Sequence, residues 1–211
     1  MTTTQSVPQE VAIQKYLGIS PISRPSRISC FVAAIRDARE FTGRVPDTGA
    51  KLPGGNHGCW LGALGYMALL DQVGSCLKPK GKSVPGNAIS KVLSYFSTLG
   101  QPEIDAIYAL RCAFAHDYSL ANVNSGQSLQ HVFAVCVGDN IPLVQFPKIS
   151  WSGVYSAVSG DNLTTINLEA LGDLVELVCQ NILALAESNN LEIALAGGID
   201  ELLGRYFFNI R

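Results

Sequence analysis

Arg111 and His116 are the residues of this chain whose types and spacing best fit chemistry. A planar guanidinium, charged at any physiological pH, can hold an oxyanion and offset negative charge as it develops. An imidazole, with a reference pKa near ~6.5, can both take and return a proton at neutral pH. Ile104, Ile107, Tyr108, Arg111, Phe114 and Ala115 recur at helical spacing, so the guanidinium falls on an otherwise apolar stripe. A cation placed there reaches past its neighbours to water, pairs with a core carboxylate, or serves a site.

Residues five apart are separated by roughly 140° around a regular helix, so Arg111 and His116 cannot share one ideal face. A joint site then requires that the helix end near His116, as Asp117 and the polar residues after it imply, or that another chain complete it. Ala109, Cys112, Ala113 and His116 form a second stripe whose small side chains admit a neighbouring helix. If that neighbour is a second copy, two sets of Arg111 and His116 meet across a two-fold axis. His116 also suits a helix C-terminus through the helix dipole alone.

The string Arg111-Cys-Ala-Phe-Ala-His116-Asp-Tyr118 resembles the R-x(4–6)-H motif of the HEPN superfamily. In its longer form, R-x4-H-x-Y, it is similar to HEPN toxins encoded beside a nucleotidyltransferase antitoxin, and the similarity of element order extends over about residues 27 to 188. The resemblance implies a helical bundle, a homodimer, and metal-independent cleavage of RNA in which a 2′-hydroxyl attacks the neighbouring phosphate to leave a cyclic phosphate. It implies His116 as general base or acid and Arg111 as the phosphate-holding residue. It also implies Tyr118, with Asp117 beside it, as a position of modification or substrate contact, and a nucleotidyltransferase-type antitoxin as partner. Active members often carry a polar residue directly after the arginine; here that residue is Cys112. A non-catalytic HEPN module that binds a partner protein or a nucleotide is the alternative expectation.

Other candidates are weaker. Gly54-Gly55-Asn56-His57-Gly58 precedes a helix and could meet an anion, but it lacks the P-loop lysine and the GxGxxG spacing, which favours a plain loop. His57 could reach a site from this loop, whereas His131, opening a strand, reads as structural. Lys78, Lys80 and Lys82 form a small basic patch of the kind that is usually solvated surface. With three histidines and no carboxylate cluster beside them, neither a metal nor a cofactor is expected. Six cysteines at 30, 59, 76, 112, 136 and 179, without a CxxC pair, read as small hydrophobes rather than disulfides or zinc ligands.

The elements that must position Arg111 and His116 are mainly helical. The spacing predicts helices over Arg27 to Phe41, Gly58 to Leu77, Ala88 to Ser97 and Glu103 to Ala115, the last opened by Pro102. His131 to Val137 and Ile141 to Phe146, joined across Gly138, Asp139 and Asn140, predict a β-hairpin at about 129–147. Residues 150 to 163 read as irregular. Asn167 precedes the longest helix, marked by Leu168, Leu171, Leu174, Val175, Val178, Ile182 and Leu185, and one short helix with Ile199, Leu202, Leu203, Tyr206 and Phe207 docks the C-terminus. Residues 1–25 read as a flexible N-terminal segment, 26–211 as one domain, and the glycine-rich loop from Thr42 to His57 as free to move.

At 47% hydrophobic residues, 211 positions suffice for one core at the usual ~100–200 residues per domain. Only 15% of residues are charged and the net charge is −2, so no global field draws this chain toward nucleic acid or an anionic membrane, and any contact with RNA must be local. The apolar run Cys59 to Leu70 is short of the ~20 residues a membrane span needs. With no secretory signal pattern visible, a cytoplasmic location is the expectation.

Overall fold

The computed structural model describes residues 7–19, 27–123 and 129–209. Within them the fold is mainly α, with seven α-helices: α1 Gln9–Leu17, α2 Cys30–Phe41, α3 Trp60–Cys76, α4 Ala88–Phe96, α5 Gln101–Asp117, α6 Leu168–Glu187 and α7 Gly198–Arg205. None of them is long and apolar enough to cross a membrane.

Helix α3 packs against α2, α4, α5 and α6, which makes its apolar run the middle of the core. Ala63, Tyr66, Met67, Leu69, Leu70 and Val73 are buried there. Its glycines allow the close approach expected of them: a methyl at Gly62 would run into Thr42, and one at Gly74 into the carbonyl of Ala88. The Asn87 side chain caps α4 by accepting from the Ser90 N–H at 2.9 Å, satisfying one of the donors a helix start leaves free.

Residues 9–17 correct the expectation of a flexible N-terminus. Ala12, Ile13, Tyr16 and Leu17 of α1 are buried and belong to the main core, and Gly18, at φ +77°, ends the helix. The reason is an apolar face at helical spacing that is long enough to dock against α2, α6 and α7. Residues 1–6 and 20–26 of the same expected segment lie outside the described residues.

The predicted hairpin is also corrected. Strand β4, His131–Cys136, pairs in parallel with β6, Leu163–Asn167, in a register that sets Val132 beside Leu163 and Cys136 beside Asn167. The short strand β5, Val144–Gln145, pairs antiparallel with β6 and not with β4. The sheet order is therefore β3-β4-β6-β5, with β3, Ala121–Asn122, on the outer edge. The chain does reverse near Gly138, where the turn residues placed it. What holds that reversal, however, is the Asn167 side chain, which donates to the carbonyls of Gly138 and Ile141 at 2.8 Å each. The remainder, including the 3-10 turn Tyr155–Ala157 within the stretch read as irregular, serves as the long crossover that a parallel pair requires.

Two further antiparallel pairs tie distant segments together. β1, Arg27–Ser29, joins β8, Phe207–Asn209, and β2, Leu77–Pro79, joins β7, Leu191–Ile193. The expected C-terminal helix is thus α7 flanked by strands.

The loop between α2 and α3 is not free. Arg44 and Lys51 bridge each other across it, and both reach α6: Arg44 meets Asp173 at 2.7 Å, and Lys51 meets Glu169 and Asp173 at 2.8 Å each.

Candidate active site

Helix α5 starts at Gln101 with Pro102 and Glu103 in its first turn, where a missing N–H and a negative charge both cost least. It buries Ile104, Ala106, Ile107, Ala109, Leu110, Ala113 and Phe114. It runs through His116 to Asp117 and ends at Tyr118, which takes the left-handed conformation at φ 49°. Because the helix continues past His116, the separation of roughly 140° from Arg111 stands, and one copy does not bring the two onto a shared face.

Arg111 sits at the edge of the buried stripe. Its Nε lies 2.5 Å from Asp71 Oδ2 on α3, and both side chains are about a quarter exposed, at 28% and 24%. Tyr108 and Cys112 line the same outer side of α5. The Cys112 thiol beside it, and then partial burial, raise the Tyr108 phenol above its ordinary pKa, while Arg111 pulls the other way.

His116 is exposed, as are Ala115, Asp117 and Tyr118. The expected stripe of small residues divides: Ala109 and Ala113 are buried within this chain. What faces outward is the strip Tyr108, Cys112 and Ala115, with Arg111 and His116 on its opposite flanks. A second helix laid on that strip would meet a guanidinium on one side and an imidazole on the other.

An aromatic group closes this end of the helix. The Trp60 and Phe114 rings stack with centroids 5.0 Å apart at 19°. Tyr118 packs against both, at 5.7 Å from Trp60 and 6.2 Å from Phe114.

His57, His131, Lys78 and Lys80 among the remaining sequence candidates have structural partners. His57 Nδ1 lies 2.7 Å from the Thr42 carbonyl oxygen. His131 meets Thr164 Oγ1 at 2.8 Å and stacks on Phe133. Lys78 pairs with Glu192 at 3.0 Å, and Lys80 with Glu10 at 3.8 Å. All six cysteines are free.

Sequence reasoning missed an ionic cluster along α6, buried at Arg44, Glu169 and Glu176 and open to solvent at Lys51 and Asp173. Glu176 accepts two hydrogen bonds from Arg39, at 2.9 and 2.8 Å, and one from the Tyr66 hydroxyl at 2.8 Å. Arg44, 4% exposed, lies against Asp173, and Lys51 against Glu169. The hydrogen bond from Lys51 holds the Glu169 carboxyl below its ordinary range. Asp173, although desolvation pushes it upward, is held low by Lys51 and Arg44. Burial pushes the Tyr66 phenol above its ordinary range. A signal was present: Glu169, Asp173 and Glu176 follow i, i+4, i+7 spacing along one face of a helix. Three cations facing three carboxylates balance one another, so the cluster acts as a clasp that holds α2 and the loop after it to α6.

No family model, curated protein or solved structure matches this chain.

Proposed function

We propose that this chain is a HEPN-type, metal-independent endoribonuclease of the toxin or defence kind, with its site assembled where two copies of α5 lie against each other. The observation that carries the proposal is the placement of Arg111 and His116 on opposite flanks of the outward strip Tyr108, Cys112 and Ala115. Where two such strips cross about a two-fold axis near His116, both imidazoles and both guanidiniums fall around one contact.

In that arrangement one imidazole takes the proton of a 2′-hydroxyl as its oxygen bonds to the neighbouring phosphorus. The bond from phosphorus to the 5′-oxygen breaks, and the second imidazole, protonated, delivers a proton to the leaving oxygen. The products are a 2′,3′-cyclic phosphate and a 5′-hydroxyl. The Arg111 guanidinium offsets the charge that gathers on the phosphoryl oxygens.

The second reading is a non-catalytic module that binds a partner protein or nucleotide through the Arg111 region. The ion pair with Asp71 favours it, since that pair accounts for a cation at the edge of an apolar stripe without any reaction. Cys112, where active members often carry a polar residue, points the same way.

The deciding experiment incubates purified protein and a His116→Ala variant with total RNA and labelled tRNA in EDTA. Cutting that produces cyclic-phosphate ends and disappears in the variant supports the ribonuclease. Absence of cutting, or cutting that survives the substitution, transfers the assignment to the binding module.

A further inference from the structure

We propose that Tyr118 is a stacking ledge for one base of a single-stranded RNA held at the His116 end of α5. This rests on the ribonuclease reading and names its substrate class.

Tyr118 is 53% exposed as a residue, although an aromatic side chain of that size gains most from burial. Its backbone, at φ 49°, occupies a region that a bulky L-residue rarely adopts and that glycine takes without strain. The cap it forms does not need the ring. The Tyr118 N–H donates to the Phe114 carbonyl at 3.1 Å, and the following Ser119 N–H to the Ala113 carbonyl at 3.2 Å. Both are backbone bonds that a glycine would keep. A large, half-exposed aromatic therefore sits at a position that favours glycine, two residues beyond His116.

The ring is also buttressed from behind. Trp60 meets it at an interplanar angle of 59°, and Phe114 at 42°, while those two stack on each other. A ring supported in this way loses little rotational freedom when a base settles on it, which is the condition for productive stacking.

The chemistry of the surroundings selects the form of the ligand. Apart from Arg111, which serves the reacting phosphate, Asp117 next in sequence to Tyr118 and a net charge of −2 give little that would hold a phosphate backbone by charge. Recognition must then come mainly from a base face, which only an unpaired nucleotide presents, and the affinity must depend weakly on salt.

The test uses fluorescein-labelled single-stranded oligonucleotides of about ten nucleotides, and a duplex of equal length, titrated with the full His116→Ala chain so that nothing is cut. Binding of the single strand over the duplex is expected. Combining His116→Ala with Tyr118→Gly should weaken it by about tenfold or more, whereas Tyr118→Phe should not. The glycine variant relieves the backbone strain, so an unchanged melting curve separates a lost ledge from a lost fold. Equal binding with and without the ring, preference for the duplex, or no binding at all would overturn the ledge. So would a Tyr118→Gly variant that changes only the oligomeric state, because the ring would then be a contact between copies. If the ledge binds RNA but the parent protein cuts none, the ribonuclease reading fails alone. If the parent cuts with a KM indifferent to Tyr118, only the ledge fails.

Discussion

The Arg111 guanidinium meets the Asp71 carboxylate across the contact between α5 and α3, with Nε 2.5 Å from Oδ2. The pair is partly solvated, so Asp71→Asn is expected to lower stability by about 1 kcal/mol or less. Stability alone does not reveal the role of Arg111; activity does. If Arg111 serves RNA, Arg111→Met abolishes cutting, by about a hundredfold or more, at a nearly unchanged melting temperature. If it serves only Asp71, then Arg111→Met and Asp71→Asn leave the same mark on function. Parallel cleavage assays and urea titrations of the two variants decide.

Asn167 joins the sheet to the longest helix. Its Oδ1 accepts from the N–H groups of Glu169 and Ala170, at 3.1 and 3.3 Å, while its Nδ2 holds the turn at Gly138 and Ile141. Asn167→Ala removes cap and brace together and should cost about 2–4 kcal/mol. Asn167→Asp keeps the acceptor but loses the donors, and should cost less. Equal losses in a denaturant titration would show that the cap contributes nothing, and no loss for Asn167→Asp would show that the turn contributes nothing.

The clasp between the α2–α3 loop and α6 sets a pH dependence. Glu169 and Asp173 are held below ordinary values of 4.5 and 3.8, so their stabilisation is fully present above that range. As pH falls below it, the unfolded chain binds protons first, and the stabilisation is lost as pH descends through the folded-state values. Lys51 is raised from 10.5, so its share is present below that value and is lost as pH rises through the folded value. Urea midpoints followed from neutrality down to about pH 3 should fall less steeply for Lys51→Met than for the parent. Identical slopes would remove Lys51 from the acid transition.

Two glycines separate crowding from intrinsic propensity. A methyl at Gly74 would collide with the backbone carbonyl of Ala88, which cannot rotate away, so Gly74→Ala should destabilise by about 1–3 kcal/mol or more. A methyl at Gly204, inside α7, meets nothing within 4 Å. Gly204→Ala should therefore stabilise by about 0.5–1 kcal/mol. Thermal melts with opposite shifts are the expected result.

The sequence by itself determined what short-range chemistry controls. The apolar periodicity of α2 to α6, the proline in the first turn of α5 and the asparagine caps of α4 and α6 act within a few residues of one another, and each helix lies close to where those signals put it, save that Arg27–Ser29 leaves the first expected helix to pair as β1 with β8. The apolar face of α1 was also written there, in Ala12, Ile13 and Tyr16, but a proline-bearing terminus obscured it. Only the tertiary structure decided the partners. Whether β5 pairs with β4 or with β6 depends on a strand some 20 residues further on, and residues 131–146 alone read as a hairpin. The clasp joins Arg39, Arg44 and Lys51 to carboxylates more than a hundred residues away, beyond any periodicity a window could register. Arg111 and His116 were legible as types and spacing. That Arg111 faces Asp71 while His116 stands clear in solvent follows from how α3 lies against α5, which is a matter of packing.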